Sequence, residues 1–247
     1  MKISPISAEI QERGRYRVYT KGFARDGFVD IAGEPGNDDW QMARGGFRGD
    51  WQMGARSALT VQGDLFTGDA GQTLRFPTLE RPYARLIEDD TGMSGGNLLG
   101  RWQRSLGGRG DLQLQLYCDL FARADSLGDW EYGVYDVDFQ HRFAWRARQE
   151  IVWGTGYRLA RDKTGVSPKF RFDPARDSGH LFSAFAQDEI ALAGDRLRLT
   201  LGSKFEHNRY SGFEYQPNAR LLQNLSRPWG AVRSISGSAK RAGKPVS

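Results

Sequence analysis

Residues Asp111–Ala122 read DLQLQLYCDLFA. Leu112, Leu114, Leu116, Cys118 and Leu120 fall on one parity, and Gln113, Gln115, Tyr117 and Asp119 on the other. A period of two held over about ten residues describes a strand with one apolar and one polar face. A helix would scatter the same leucines around its circumference.

The pattern recurs along the chain. Leu59, Val61, Gly63 and Leu65 oppose Thr60, Gln62 and Asp64 in Ser57–Thr67. Tyr135, Val137 and Phe139 oppose Asp136, Asp138 and Gln140 in Tyr132–Phe143. Ile151, Trp153 and Tyr157 oppose Glu150 and Arg158 in Gln149–Leu159. Leu197, Leu199, Leu201 and Phe205 oppose Arg198, Thr200, Lys204 and Glu206 in Leu197–Tyr210. Weaker alternation marks Arg15–Phe23, Gln41–Trp51, Gly95–Ser105, Gly179–Ile190 and Phe213–Leu222, giving about ten strands. Gly179–Ile190 has mixed faces, and Pro217 removes a ladder donor from the last strand.

Composition agrees with an all-β chain and excludes several classes. The 247 residues include 31 glycines and 12% aromatics, with 39% apolar and 26% charged residues, an ordered-protein balance. A single cysteine, Cys118, permits no intrachain disulfide, and no Cys/His cluster is spaced for zinc. No run approaches the roughly 18 apolar residues of a membrane helix. Met1–Tyr19 carries no apolar segment of the kind a signal peptide needs. The mean hydropathy of −0.60 still allows a transmembrane barrel, whose strands need only one apolar face.

The connections have a rhythm of their own. Short polar turns are expected near Gln52–Arg56, Leu106–Gly110, Ala144–Arg148 and Leu192–Arg196. Longer polar connections are expected at Ala24–Asp39, Gly68–Ser94, Ala124–Glu131 and Arg161–Ser178, with a short hairpin near Ser211–Gly212 as the exception. Short turns at one end and long loops at the other describe an up-and-down outer-membrane barrel. Trp51, Trp102, Trp145, Trp153 and Tyr157 fall near strand ends, where interfacial aromatics of such a barrel belong, although sandwich cores also use aromatics.

Against this background, several segments resemble the barrel of TonB-dependent outer-membrane receptors. They are GGNLLGRWQRSL (Gly95–Leu106), DVDFQHRF (Asp136–Phe143), IVWGTGYRLARD (Ile151–Asp162), LFSAFAQDEIAL (Leu181–Leu192) and LRLTLGSKFEHNRYSGFEYQPNARLL (Leu197–Leu222). YRVYTKGF (Tyr16–Phe23) and RGGFRGDW (Arg44–Trp51) are similar to first barrel strands of that family. The resemblance implies energised uptake of a ferric siderophore or another metal chelate such as cobalamin. Its implied partners are outer-membrane lipid and the TonB complex.

Receptors of this type have about 22 strands around a plugged lumen. We therefore expect residues 15–222 to form part of a barrel. Residues 1–14 would be a non-barrel remnant and 223–247 a disordered or aberrant tail. Such a piece, without plug or TonB-contacting segment, is expected not to transport alone. The alternatives are a small self-closing outer-membrane barrel, porin-like or structural, and a soluble β-sandwich binding module.

No nucleophile elbow, Walker loop or HExxH occurs, so neither enzyme nor cofactor is expected. His141 shares parity with Phe139 and Phe143, as an interfacial histidine would. His207 adjoins Glu206, but i,i+1 neighbours in a strand face opposite ways. His180, near Asp177, reads as a solvated loop histidine. Asp38, Asp39, Glu88, Asp89 and Asp90 lack EF-hand spacing and read as loop charge, so no metal site is expected. The 35 basic and 30 acidic residues are dispersed, without the basic stripe that nucleic acid requires. The expected lumen-facing, ligand-contacting set is Thr60, Gln62, Asp64, Arg101, Gln113, Gln115, Asp119, Asp136, Asp138, Glu150, Arg158, Lys204 and Glu206. Gln103, Glu214 and Gln216 share that parity.

Overall fold

Directly opposed residues of two antiparallel strands share a face, so strands of like alternation join into one two-faced sheet. A computed structural model of the chain describes residues 6–10, 14–29, 31, 33–165, 172–193, 196–223 and 233–238. They form one antiparallel sheet. Its strands are β1 (Ile6–Ile10), β2 (Gly14–Arg25), β3 (Trp40–Gln52), β4 (Ser57–Pro77), β5 (Ala84–Ser105) and β6 (Asp111–Asp125). They continue with β7 (Gly128–Arg146), β8 (Gln149–Thr164), β9 (Arg176–Leu192), β10 (Leu197–Asn208), β11 (Gly212–Gln223) and β12 (Arg233–Ser238).

Strand order follows chain order throughout, and β1 and β12 do not pair with each other. The fold is thus all-β, antiparallel and up-and-down, with the sheet unclosed. Among the described residues there is no second sheet to make a sandwich, and no pairing that closes a small barrel.

β2–β11 correspond to the ten expected strands. The sheet also takes in Ile6–Ile10, paired with β2, and Arg233–Ser238, paired with Asn218–Gln223 of β11. The latter lies in the tail whose sequence lacks alternation. Backbone hydrogen bonds along a sheet edge need no side-chain pattern, which is why alternation did not reveal it. The rest of that tail, 224–232 and 239–247, lies outside the described residues. β12 begins its pairing at Asn218, one residue past Pro217.

Two expected loops are corrected. Gly68–Ser94 is mostly strand: β4 and β5 stay paired from Ser57↔Arg104 to Pro77↔Ala84. β3 stops pairing with β4 at Ala70, and β6 stops pairing with β5 at Gly92. The remainder projects as a two-stranded hairpin roughly 20 Å long, at about 3.3 Å per residue. Polar residues in a hairpin outside any apolar environment have no face to hide, so alternation fades while pairing persists. Ala124–Glu131 is likewise no long loop, because Asp125 pairs with Gly128 around a tight turn. The connections that follow β2 and β8 also leave from that end, as expected.

The apolar face is bare. Leu65 is 73% exposed, Phe205 52%, Leu116 51% and Leu98 47%, while Val152 is the one buried apolar residue among those described. Among the described residues nothing covers this face.

On the other face, aromatic rings lie over glycines of the opposed strand. Phe185 pairs with Gly154, and a Cβ on Gly154 would meet its Cε1 at 2.6 Å. Phe66 stands over Gly95 in the same way, at 2.8 Å.

Candidate ligand-facing wall

Register alone decides which side chains stand together. One row across the sheet runs Asp50↔Thr60↔Arg101↔Gln115↔Asp138, and continues through Gly156 and Ser183 to Glu206 and Glu214. The next row toward the long loops runs Arg48↔Gln62↔Leu99↔Tyr117↔Asp136↔Arg158. Beyond it Asp64, Asn97 and Asp119 are in line. On the turn side, Gln103↔Gln113↔Gln140 leads through Gly154 and Phe185 to Lys204 and Gln216. Glu150, opposite Ala144 and Glu189, completes the set. All thirteen candidate residues therefore share one face of one sheet.

The side chains on this face bind one another across strands. Arg158 Nε donates to Asp136 Oδ2 at 2.7 Å, and Asp136 is only 8% exposed. Arg44 pairs with Asp64 at 2.5 Å, Lys204 with Glu206 at 2.7 Å, and Arg142 with Glu150 at 3.4 Å. Thr60 Oγ1 donates to Asp50 Oδ1 at 2.6 Å, and Arg48 Nη1 donates to Gln62 Oε1 at 3.0 Å. Gln103 donates to Gln113 at 3.0 Å and Gln216 to Glu206 at 3.1 Å. Pairs with half-exposed cations contribute about 0–1 kcal/mol each, so their effect is to fix side-chain positions more than to hold the fold.

Arg101 differs from Arg44, Arg48, Arg142 and Arg158 on this face. Its Nε and Nη2 both donate to the neutral Gln115 Oε1, at 2.9 and 2.6 Å, and no carboxylate neutralises it among the described residues. A guanidinium held in position by a neutral partner keeps its charge available to an anion. Three strands along the same row, Gly156 makes room for Asp138, whose Oδ1 would lie 2.5 Å from a Cβ there.

Sequence reasoning missed Arg44, Arg48 and Asp50, which partner candidate residues. Their parity was readable in β3, but Gly45, Gly46 and Gly49 dilute its alternation.

At the long-loop end the base of the projecting hairpin is pinned. Asn37 Nδ2 donates to the carbonyls of Gln72 and Asp89, and Gln72 Nε2 donates to Asp89 Oδ2 at 3.0 Å. The Ser126 hydroxyl donates to Asp89 Oδ1 at 2.5 Å and its N–H to Oδ2 at 3.0 Å. These donors, the Ser126 hydroxyl foremost, hold the Asp89 carboxyl below its ordinary pKa. Asp177, first through Arg209 and then through the Ser178 N–H, is lowered likewise.

The histidines divide. His141 stacks on Phe143 at 4.9 Å and accepts from Trp153 Nε1 at 3.3 Å, on the apolar face. His207 lies 4.3 Å from Phe213, away from Glu206. His180 is corrected: it is a strand residue of β9, with Nδ1 2.7 Å from the Tyr157 hydroxyl, and Asp177 is occupied by Arg209. Trp51 and Trp102 flank Leu59 in register at the short-turn end, and Trp145 lies there too. Tyr157 instead sits mid-strand, opposite Val137 and Phe182.

No protein-family model matches the chain, and no curated protein matches it significantly in sequence. Solved structures do match in fold. The siderophore receptor PirA from Pseudomonas aeruginosa aligns with a TM-score of 0.67 at 12% identity, over 97% of this chain and 39% of that one. A mutant of the ferric enterobactin receptor PfeA from Pseudomonas aeruginosa aligns at 0.65 and 15% identity, over 94% and 40%. BauA, the ferric preacinetobactin receptor from Acinetobacter baumannii, aligns at 0.53 and 13% identity, over 90% and 42%. The match is one of fold, and this chain spans about two fifths of the length of these receptors.

Proposed function

We propose that this chain is part of the barrel wall of a TonB-dependent outer-membrane receptor for a ferric siderophore or a related metal chelate. The bare apolar face meets lipid, and the polar face lines the lumen. Arg101, with its uncompensated charge, leads the ligand-contacting set, supported by Gln115, Asp136 and Arg158. TonB coupling belongs to the whole receptor; the wall supplies the path and the polar surface. Energised uptake of this kind makes and breaks no covalent bond, so the wall acts by binding.

The observation that carries the reading is the separation of faces: all thirteen polar candidates on one side, and Leu65, Leu98, Leu116, Leu201 and Phe205 exposed on the other. Fold similarity to three chelate receptors points the same way.

The test is fluorescence titration of the full chain, refolded in detergent, with ferric enterobactin and with a ferric hydroxamate. Saturable quenching by either, weakened about tenfold in Arg101→Ala, is expected. Quenching by neither, in protein that has inserted in lipid vesicles, overturns the ligand assignment.

A further inference from the structure

Near the long-loop end, the outward apolar face holds a groove of about 820 Å³. Three consecutive registers build it. Tyr135 pairs with Leu159, and Leu159 with His180. One step outward, Leu120, Gly133, Arg161 and Ser178 are in line. One further step outward brings Glu131, Lys163 and Arg176 into line. The floor is open because Gly133 has no side chain; a Cβ there would meet Leu120 Cδ2 at 3.1 Å. The groove is apolar on the membrane side, at Leu120 and Tyr135, and cationic beyond.

The groove is also lined by Asp162 and Asp177, but their register places both on the polar face, where Arg209 binds Asp177. On the outward face the charges do not cancel. Lys163 Nζ meets Glu131 at 2.5 Å, which accounts for one cation and one anion. Arg161 lies over the Tyr135 ring at 6.0 Å and meets no carboxylate among the described residues. Arg176 is exposed and likewise meets none. Two guanidiniums on neighbouring strands, beside an apolar floor, match a ligand with acyl chains and a phosphate.

Height along the wall supports the same occupant. Arg161 stands about twelve residues up β8 from the short turn. At about 3.3 Å per residue and a 45° tilt, that is roughly 28 Å, just past an apolar band of about 25 Å. A basic pair at this level lies where lipid phosphates lie.

We propose that this groove binds the net-anionic phosphate headgroup of a membrane lipid, with Arg161 and Arg176 holding the phosphate and Leu120 and Tyr135 contacting the acyl chains. This rests on the transmembrane reading above.

The test is native mass spectrometry of the full chain in detergent, with phosphatidic acid, phosphatidylcholine or inorganic phosphate as probes. Phosphatidic acid is expected to stay bound, and retention to fall at least tenfold in Arg161→Ala/Arg176→Ala. Arg198→Ala, on the opposite face, serves as the control and is expected to retain the lipid. Equal retention by the double variant and the parent overturns the proposal. So does displacement by millimolar inorganic phosphate, which would make the site one for free anions, and so does indifference between the two lipids. Failure of the chain to insert into vesicles at all overturns the membrane reading instead, and is read separately by flotation.

Discussion

Phe185 lies across the backbone of Gly154, its directly opposed partner, with no space for a single additional carbon between them. This ring-over-glycine contact fills the polar face where neither neighbour supplies bulk. Gly154→Val is expected to drive the ring off its seat and cost about 1–3 kcal/mol, the usual penalty of overpacking. The urea midpoint of the refolded chain measures it. In a Phe185→Ala background only part of the cost should vanish, since a Cβ at Gly154 also meets the Phe139 carbonyl oxygen at 2.5 Å.

Arg158 holds the nearly buried Asp136 from a half-exposed position. Its replacement by Ala leaves that carboxylate without its ion-pair partner, while water still reaches the site from the arginine side. The expected loss is about 1 kcal/mol in urea unfolding, discounted for that exposure. Asp136→Asn made together with Arg158→Ala should recover most of it, because the buried carboxylate is then gone along with its partner. A full loss in the double variant would show that the arginine acts by packing.

Acid should loosen the projecting hairpin before the wall. The Asp89 carboxyl is held below its ordinary value near 3.8, chiefly by the Ser126 hydroxyl. A depressed folded-state value means stabilisation that is present above the unfolded value and is lost as pH falls through the folded one. The protection factor of the Ser126 amide, its observed exchange corrected for intrinsic pH dependence, is therefore expected to fall below about pH 4. Asp89→Asn should flatten that dependence. An unchanged protection factor down to about pH 2 would contradict it.

The tryptophans report how the wall sits. Trp51, Trp102, Trp145 and Trp153 lie toward the short-turn end, while Trp40 and Trp130 lie on the opposite face near the loops. In vesicles of lipids brominated near the headgroup, a Trp40→Phe/Trp130→Phe/Trp229→Phe variant is expected to be strongly quenched. Weak quenching in inserted protein would place the apolar face away from lipid.

Leu116 stands mid-strand on the bare face. Leu116→Arg is expected to cost about 2–4 kcal/mol of insertion stability, as arginine does at a bilayer midplane. Gln115→Arg, one residue away on the other face, should be tolerated. Equal effects would remove the distinction between the faces.

How far the sequence could be read follows from where burial acts. In β6 and β10 one face is apolar and the other polar, so the leucines of DLQLQLYCDLFA and LRLTLGSKF announce both strand and parity. The same parity gave the shared face of the thirteen polar residues, because register carries it from strand to strand. The hairpin beyond Ala70 and Gly92 was illegible, since strands with solvent on both faces carry no periodic signal. β12 was hidden for the related reason that edge pairing is a backbone matter. In β3, three glycines masked Arg44, Arg48 and Asp50. The asymmetry of Arg101, with a neutral partner where Arg158 has an acid, is a matter of rotamers and cross-strand reach, which alternation does not encode.

The hairpin of β4 and β5 carries its turn, Thr78–Tyr83, well clear of every neighbouring strand, with Leu79 fully exposed at the tip. If the wall sits in an outer membrane as proposed, such a mast is the part an antibody or phage meets first. Its pinned base lets the tip accept a peptide tag while the wall below keeps its register, which makes Thr78–Tyr83 the place to graft an epitope for reading topology on intact cells.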